Sequence, residues 1–213
     1  MDHDIPDAQL PPYFQRLSHK DAKEYLARFV AELPASNARL AGMLASAGAD
    51  PGLADETRPE ALDMIWEVAV NHWPMRWQDD YVHPETTAAP TLHKGSLRAL
   101  GPLHLLPSWF IHDRLHALRF HQDTLWVIDV LARHLGATLI AWKPSLAWNV
   151  GPARPANNID RGCPVVMGSK TWVNPFHAVQ GLVHRQITDV DSAGAQQRPL
   201  WAAYERWAGY DWG

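Results

Sequence analysis

His112 and His116 stand four residues apart in the run His112-Asp113-Arg114-Leu115-His116. On a helix this spacing places two imidazoles one turn apart on one face, where they can share a zinc ion. Asp113 then takes the position at which a zinc-metalloprotease helix carries its glutamate general base, with one methylene fewer. The chemistry supplied would be metal-activated water. Seven of the twelve histidines, His83, His93, His104, His112, His116, His121 and His134, fall within about a quarter of the chain and offer a third ligand that the spacing leaves unassigned. The competing reading is of solvated or hydrogen-bonded histidines, since a His-rich sequence produces HxxxH by chance.

Cys163, with His177 or His184 and Asn174, raises a thiol nucleophile. Its context argues for burial instead: Cys163 abuts Pro164 at the start of an apolar strand, not a helix N-terminus that would lower its thiol pKa. There is no G-x-S-x-G, glycine-rich phosphate loop or C-x-x-C. Asp79 and Asp80 with Glu85 form an acidic cluster suited to solvation or to a basic patch on a partner.

Eleven tryptophans outnumber the five Tyr and five Phe, and filling a core otherwise rich in Ala and Pro is their ordinary use. Trp73, Trp77, Trp109 and Trp212 fall in irregular segments and are the candidates for an aromatic binding surface. From Asn71 to Pro107 the sequence has five prolines and no sustained period. Such a segment serves as a lid, a partner surface or a linker wrapped on the core. Trp73, Trp77, Asp79, Asp80 and Tyr81 are therefore the candidate partner-binding residues.

The elements that must position these groups follow from capping and periodicity. Ser18 and Asp21 make a relaxed capping box for a helix from His19 to Leu33, which Pro34 ends. A second helix runs to Gly48. Thr57-x-x-Glu60 with Pro59 opens a third, whose Ala61, Leu62, Ile65, Trp66 and Ala69 face inward. Leu125, Ile128, Leu131, Ala132 and Leu135 predict a central helix, apolar nearly all round. Gly136 is expected to cap it, and Ala137 to Trp142 and Ala147 to Val150 to form a hairpin around Lys143-Pro144-Ser145. Pro164 to Gly168 and Lys170 to Val173 read as further strands. Asn174-Pro175 opens a helix, and the last begins near Pro199. The fold class is α+β: N-terminal helices packed with a central buried helix and a small, mostly antiparallel sheet. Residues 1–213 read as one domain, with 1–70 a helical subdomain, 71–107 the Pro- and Trp-rich connection and 108–213 the helix-hairpin-sheet core.

A formal charge of −4 and no run of Lys or Arg longer than two disfavour nucleic-acid binding. The segment MDHDIPDAQLPPYF lacks the basic and apolar regions of a signal peptide, and no stretch approaches 18 uninterrupted apolar residues, so neither export nor membrane insertion is expected. One cysteine suits a reducing compartment, and a cytoplasmic location is expected. The sequence calls for no cofactor.

Leu135-Gly136-Ala137-Thr138-Leu139-Ile140 followed by Trp148, with Asn157, Pro164-Val165-Val166 and Asn174-Pro175, resembles a helix-and-hairpin that recurs in small uncharacterised bacterial proteins. Some of these resemble immunity proteins that neutralise toxins. The resemblance covers the second half of the chain and implies a fold, with no catalytic residues to carry over. Three functional expectations result. The first is a non-enzymatic protein-binding domain, of immunity type, using the Pro- and Trp-rich segment. The second is a metal-dependent hydrolase using His112 and His116. The third is a small-ligand domain with a pocket lined by Trp126, Trp142 and Trp148.

Overall fold

The computed structural model describes residues 10–79, 100–155, 157–188 and 198–213, without the side chains of Leu115 and His116. Seven helices are present among the described residues: α1 His19–Ala31, α2 Leu33–Ser46, α3 Pro59–His72, α4 Phe110–Ala117, α5 Gln122–Trp142, α6 Pro175–Thr188 and α7 Pro199–Ala208. Strands β1 Ala147–Val150, β2 Pro164–Met167 and β3 Trp172–Val173 make an antiparallel sheet in the order β1-β2-β3. Trp148 pairs with Val166, and Val166 with Val173. This is an α+β fold.

Local chemistry sets most element ends. Ser18 Oγ accepts from Asp21 N at 3.1 Å and donates to the Asp21 carboxyl, starting α1. Asn174 Oδ1 accepts from the backbone N–H groups of Phe176 and His177, so α6 begins with two of its orphan donors satisfied. Two expectations are corrected in detail. Pro34 does not end α1; it lies in the first turn of α2, and the junction falls at Glu32. Thr57 does not cap α3, because Pro59 holds Arg58 in an extended conformation and makes Arg58 the N-cap.

The larger correction concerns the expected hairpin. Residues 137–142 are the last turns of α5, which continues straight through Gly136. β1 pairs with β2, not with that segment. The position takes glycine because the Trp148 ring packs on it: a Cβ there would lie 2.2 Å from Trp148 Cζ2. The glycine makes a notch for an indole, and the helix proceeds past it.

At 21 residues α5 is long and apolar enough to cross a membrane, yet 78% of its most apolar window is buried inside the protein. α2, α3, α6 and α7 all pack against it. Phe29 of α1, Leu40 and Leu44 of α2, Ile65 of α3, Leu125, Ile128, Leu131, Leu135 and Leu139 of α5, Val165 and Val166 of β2 and Val183 of α6 share one apolar core. Each fully buried aliphatic or aromatic side chain there contributes roughly 1.5–3 kcal/mol of transfer free energy.

Candidate functional site

α4 carries the HDRLH run, and Asp113 leaves helical geometry at φ −111°, ψ 16°. The run is thereby divided. His112 Nδ1 lies 2.7 Å from the Pro12 carbonyl, and its ring packs on Phe14 and Tyr25. Burial pulls its pKa below the usual imidazole value. Asp113 faces α6, where Gln180 Nε2 donates to its Oδ2 at 2.7 Å. The side chain of His116 lies outside the described residues. No group of three or more His, Cys, Asp or Glu side chains is arranged to hold a metal among the described residues.

Distant parts of the sequence meet beside α4. Asp113, Asp160, Cys163, Asn174 and His177 gather around α6's first turn, and Asp113, Cys163, Asn174 and His177 line a space of about 10 Å³. His177 Nδ1 donates to Asp160 Oδ1 at 2.9 Å, while its Nε2 lies 3.9 Å from Asp113 Oδ1, a charge contact rather than a hydrogen bond. Burial alone would lower the His177 pKa, but Asp113 and Asp160 outweigh it and push the pKa up to about 9. Burial would raise that of Asp160, but hydrogen bonds from His177, Asn174 and Trp172 hold it below the ordinary range. Burial, then the negative charge of Asp113 and Asp160, pushes the Cys163 thiol up. The thiol is therefore neutral, whereas a thiolate nucleophile needs a depressed pKa, which burial and the two acids oppose. His184 turns elsewhere, edge-on to Trp77.

The aromatic candidates are placed differently from the expectation. Trp73 is 8% exposed and its Nε1 donates to the Met43 carbonyl, so it is a core residue. Trp109 and Trp212 are fully buried too. Only Trp77 of the four is half-buried; it stacks on Phe120 through an isolated backbone bridge. Asp79 is exposed and 3.6 Å from Arg76. Asp80 and Tyr81 lie outside the described residues.

Two cavities flank Arg133 of α5. One, of about 290 Å³, lies between α2, the 3-10 turn Pro51–Ala54 and α5, walled by Leu33, Leu40, Ala54, Val130 and Ala137. His134 lines it at 5% exposure, and its Nε2 has no hydrogen-bond partner among the described residues. Burial pulls the His134 pKa down to about 4, so the ring is neutral at pH 7. The other cavity, of about 280 Å³, lies across Ser36 and Arg133 from the first and is bordered by Arg39, His104, Ser108 and Trp126. Arg133 itself is spent: Nε donates to Asp129 at 2.8 Å, one Nη to the Phe29 carbonyl and the other to Glu32, each at 3.0 Å.

The three tryptophans expected to line one pocket are separated. Trp126 borders the second cavity beneath the Arg39 guanidinium, Trp148 sits on Gly136, and Trp142 is 44% exposed. His134 was visible in the sequence only as one of seven clustered histidines that could offer a third metal ligand. Its missing partner is a tertiary property. No family model, curated protein or solved structure matches this chain.

Proposed function

We propose that this chain is a non-catalytic binding domain for a small organic ligand, held between α2 and α5. The carrying observation is the mainly apolar cavity of about 290 Å³ between the two helices, walled by Leu40, Ala54 and Val130. A concave, mainly apolar space with a few polar groups at its edge is the ordinary setting of a small organic ligand. The clustered thiol, imidazole and carboxyl groups support a structural role over turnover, since their hydrogen bonds join α4, α6 and the loop before β2. A cytoplasmic setting fits the single buried free thiol.

The test is a ligand-observed NMR screen of uncharged aromatic fragments, repeated on Ala137→Phe, which places a ring at the cavity wall. Fragments that bind wild type and are lost in the variant support the reading. A screen in which every hit survives the substitution overturns it.

A second reading, a protein partner of immunity type, rests on the exposed Asp79 beside half-buried Trp77. Trp73 cannot anchor it, being part of the core. Loss of one stoichiometric partner on Asp79→Arg, with folding unchanged, supports this reading; retention of the partner argues against that surface.

A further inference from the structure

We propose that the cavity between α2, the Pro51–Ala54 turn and α5 takes an organic cation, a protonated amine on a hydrocarbon body of about two rings, with its ammonium group held at the mouth by the Asp55 carboxylate. This rests on the small-ligand reading above and adds the chemical class.

Size comes from the cavity. An engineered apolar cavity of roughly 150 Å³ holds one benzene, and about 290 Å³ is close to twice that. Leu40, Ala54 and Val130 are buried and apolar, while exposed Pro34, Asp55 and Thr57 form the rim. A hydrocarbon body inside and one polar group at the rim match that division.

The sign of that polar group follows from the charges on the lining, which are those of Asp55 and Arg133. Arg133 is already answered twice: its Nε meets Asp129 at 2.8 Å and one Nη meets Glu32 at 3.0 Å. His134, also on the lining, adds no charge at pH 7, because burial holds its pKa at about 4. Asp55 has no ion pair among the described residues. Its Oδ1 accepts from Asn37 Nδ2 at 2.7 Å, and an amide donor leaves the carboxylate's negative charge in place. The same bond fixes position. Asn37 belongs to α2, and Asp55 closes the Pro51–Ala54 turn with its N–H on the Gly52 carbonyl at 3.0 Å, so two walls of the cavity hold the carboxylate. A carboxylate has about four lone-pair sites, and Asn37 takes one. An ammonium group gains charge-assisted bonds from the rest, a hydroxyl gains weaker ones, and a ligand carboxylate meets like charge.

The experiment uses the full chain at pH 7 with three probes of one size: 2-naphthylmethylamine, 2-naphthylmethanol and 2-naphthoate. Affinities are measured by saturation-transfer NMR titration on wild type, Asp55→Asn and Ala137→Phe. Asp55 is exposed, so water screens its attraction, and the amine is expected to bind about three- to fivefold tighter than the alcohol, with naphthoate weakest. Asp55→Asn keeps the shape and removes the charge, and should bring amine and alcohol to within about 1.5-fold of each other. Raising salt from about 0.02 M to about 1 M should do the same in wild type. Ala137→Phe should abolish binding of both. If Asp55→Asn does not fold, the salt dependence together with the loss in Ala137→Phe decides the matter. An amine preference that persists in Asp55→Asn overturns the inference, as does amine binding that survives Ala137→Phe. Equal binding of amine and alcohol, both lost in Ala137→Phe, overturns the cationic class while the small-ligand reading stands, and tightest binding by naphthoate overturns that class too. Binding by none of the three overturns the inference, and failure of the wider fragment screen then removes the reading beneath it.

Discussion

Trp148 of β1 lies directly on the backbone of Gly136 in α5, so close that a methyl group at 136 would fall 2.2 Å from Cζ2 and 2.6 Å from Cη2 of the indole. The same ring meets Phe29 of α1 edge-on, which makes it the joint between sheet, central helix and first helix. Glycine inside a helix ordinarily costs about 1 kcal/mol against alanine. Here the clash reverses the sign. Gly136→Ala is expected to destabilise by about 1–3 kcal/mol, the usual cost of overpacking. In the Trp148→Ala background the same substitution should instead stabilise. Urea unfolding of the four-member cycle checks this, and additivity would contradict the packing.

The pairing of His177 with Asp160 and Asp113 predicts a loss of stability in alkali. Its folded pKa of about 9 stands above the ordinary 6.5, so its contribution is fully present below pH 6.5 and disappears as pH rises through 9. A separation of that size corresponds to roughly 3 kcal/mol. Melting temperature should fall between pH 7 and 10 in wild type, and His177→Gln should start lower and fall less.

On the acid side His134 acts in the opposite sense. Its folded pKa is about 4 against 6.5, so the unfolded chain takes up a proton first and stability declines as pH drops from 6.5 toward 4. Asp160, held low in the fold, adds a loss below the ordinary carboxyl range. His134→Leu should flatten the upper part of this decline in calorimetric scans from pH 7 to 4 and leave the lowest part in place.

Arg133 is the buried charge whose removal should cost most. Asp129 is 1% exposed and takes its hydrogen bonds from Arg133 and Ser36. Arg133→Met leaves that carboxyl in the core without its cation and should destabilise by about 3–5 kcal/mol. Arg133→Met with Asp129→Leu should recover most of the loss in urea titrations, because the orphaned charge is then gone as well.

Cys163 should resist thiol reagents. It is 2% exposed and its thiol is pushed up by burial and by neighbouring acids. Reaction with a disulfide dye on the native protein is expected to be at least about 100-fold slower than in urea, limited by opening of the fold. Rapid labelling without loss of structure would contradict the packing around it.

Much of this architecture was written locally. Ser18 and Asp21, Pro59, Asn174-Pro175 and Pro199 mark helix starts because caps and first-turn prolines act over three or four residues, and β2 and β3 follow from short apolar runs between turn residues. The α+β class came with them. Gly136 was read as a stop because a glycine after an apolar helix commonly caps it, and nothing within four residues reveals the indole of Trp148 above it. His112 and His116 were read as sharing one helical face; the structure places His112 against Phe14 and Asp113 against Gln180, and the His116 side chain lies outside the described residues. Trp73 belonged to a segment without a period, yet the core closes over it. His134 Nε2 is buried without a hydrogen-bond partner among the described residues, and that depends on how the chain packs around it. Capping and turn preferences are settled by neighbours along the chain. Which polar atom is satisfied and which cavity remains open are settled by residues that meet only after packing, and there the sequence by itself is silent.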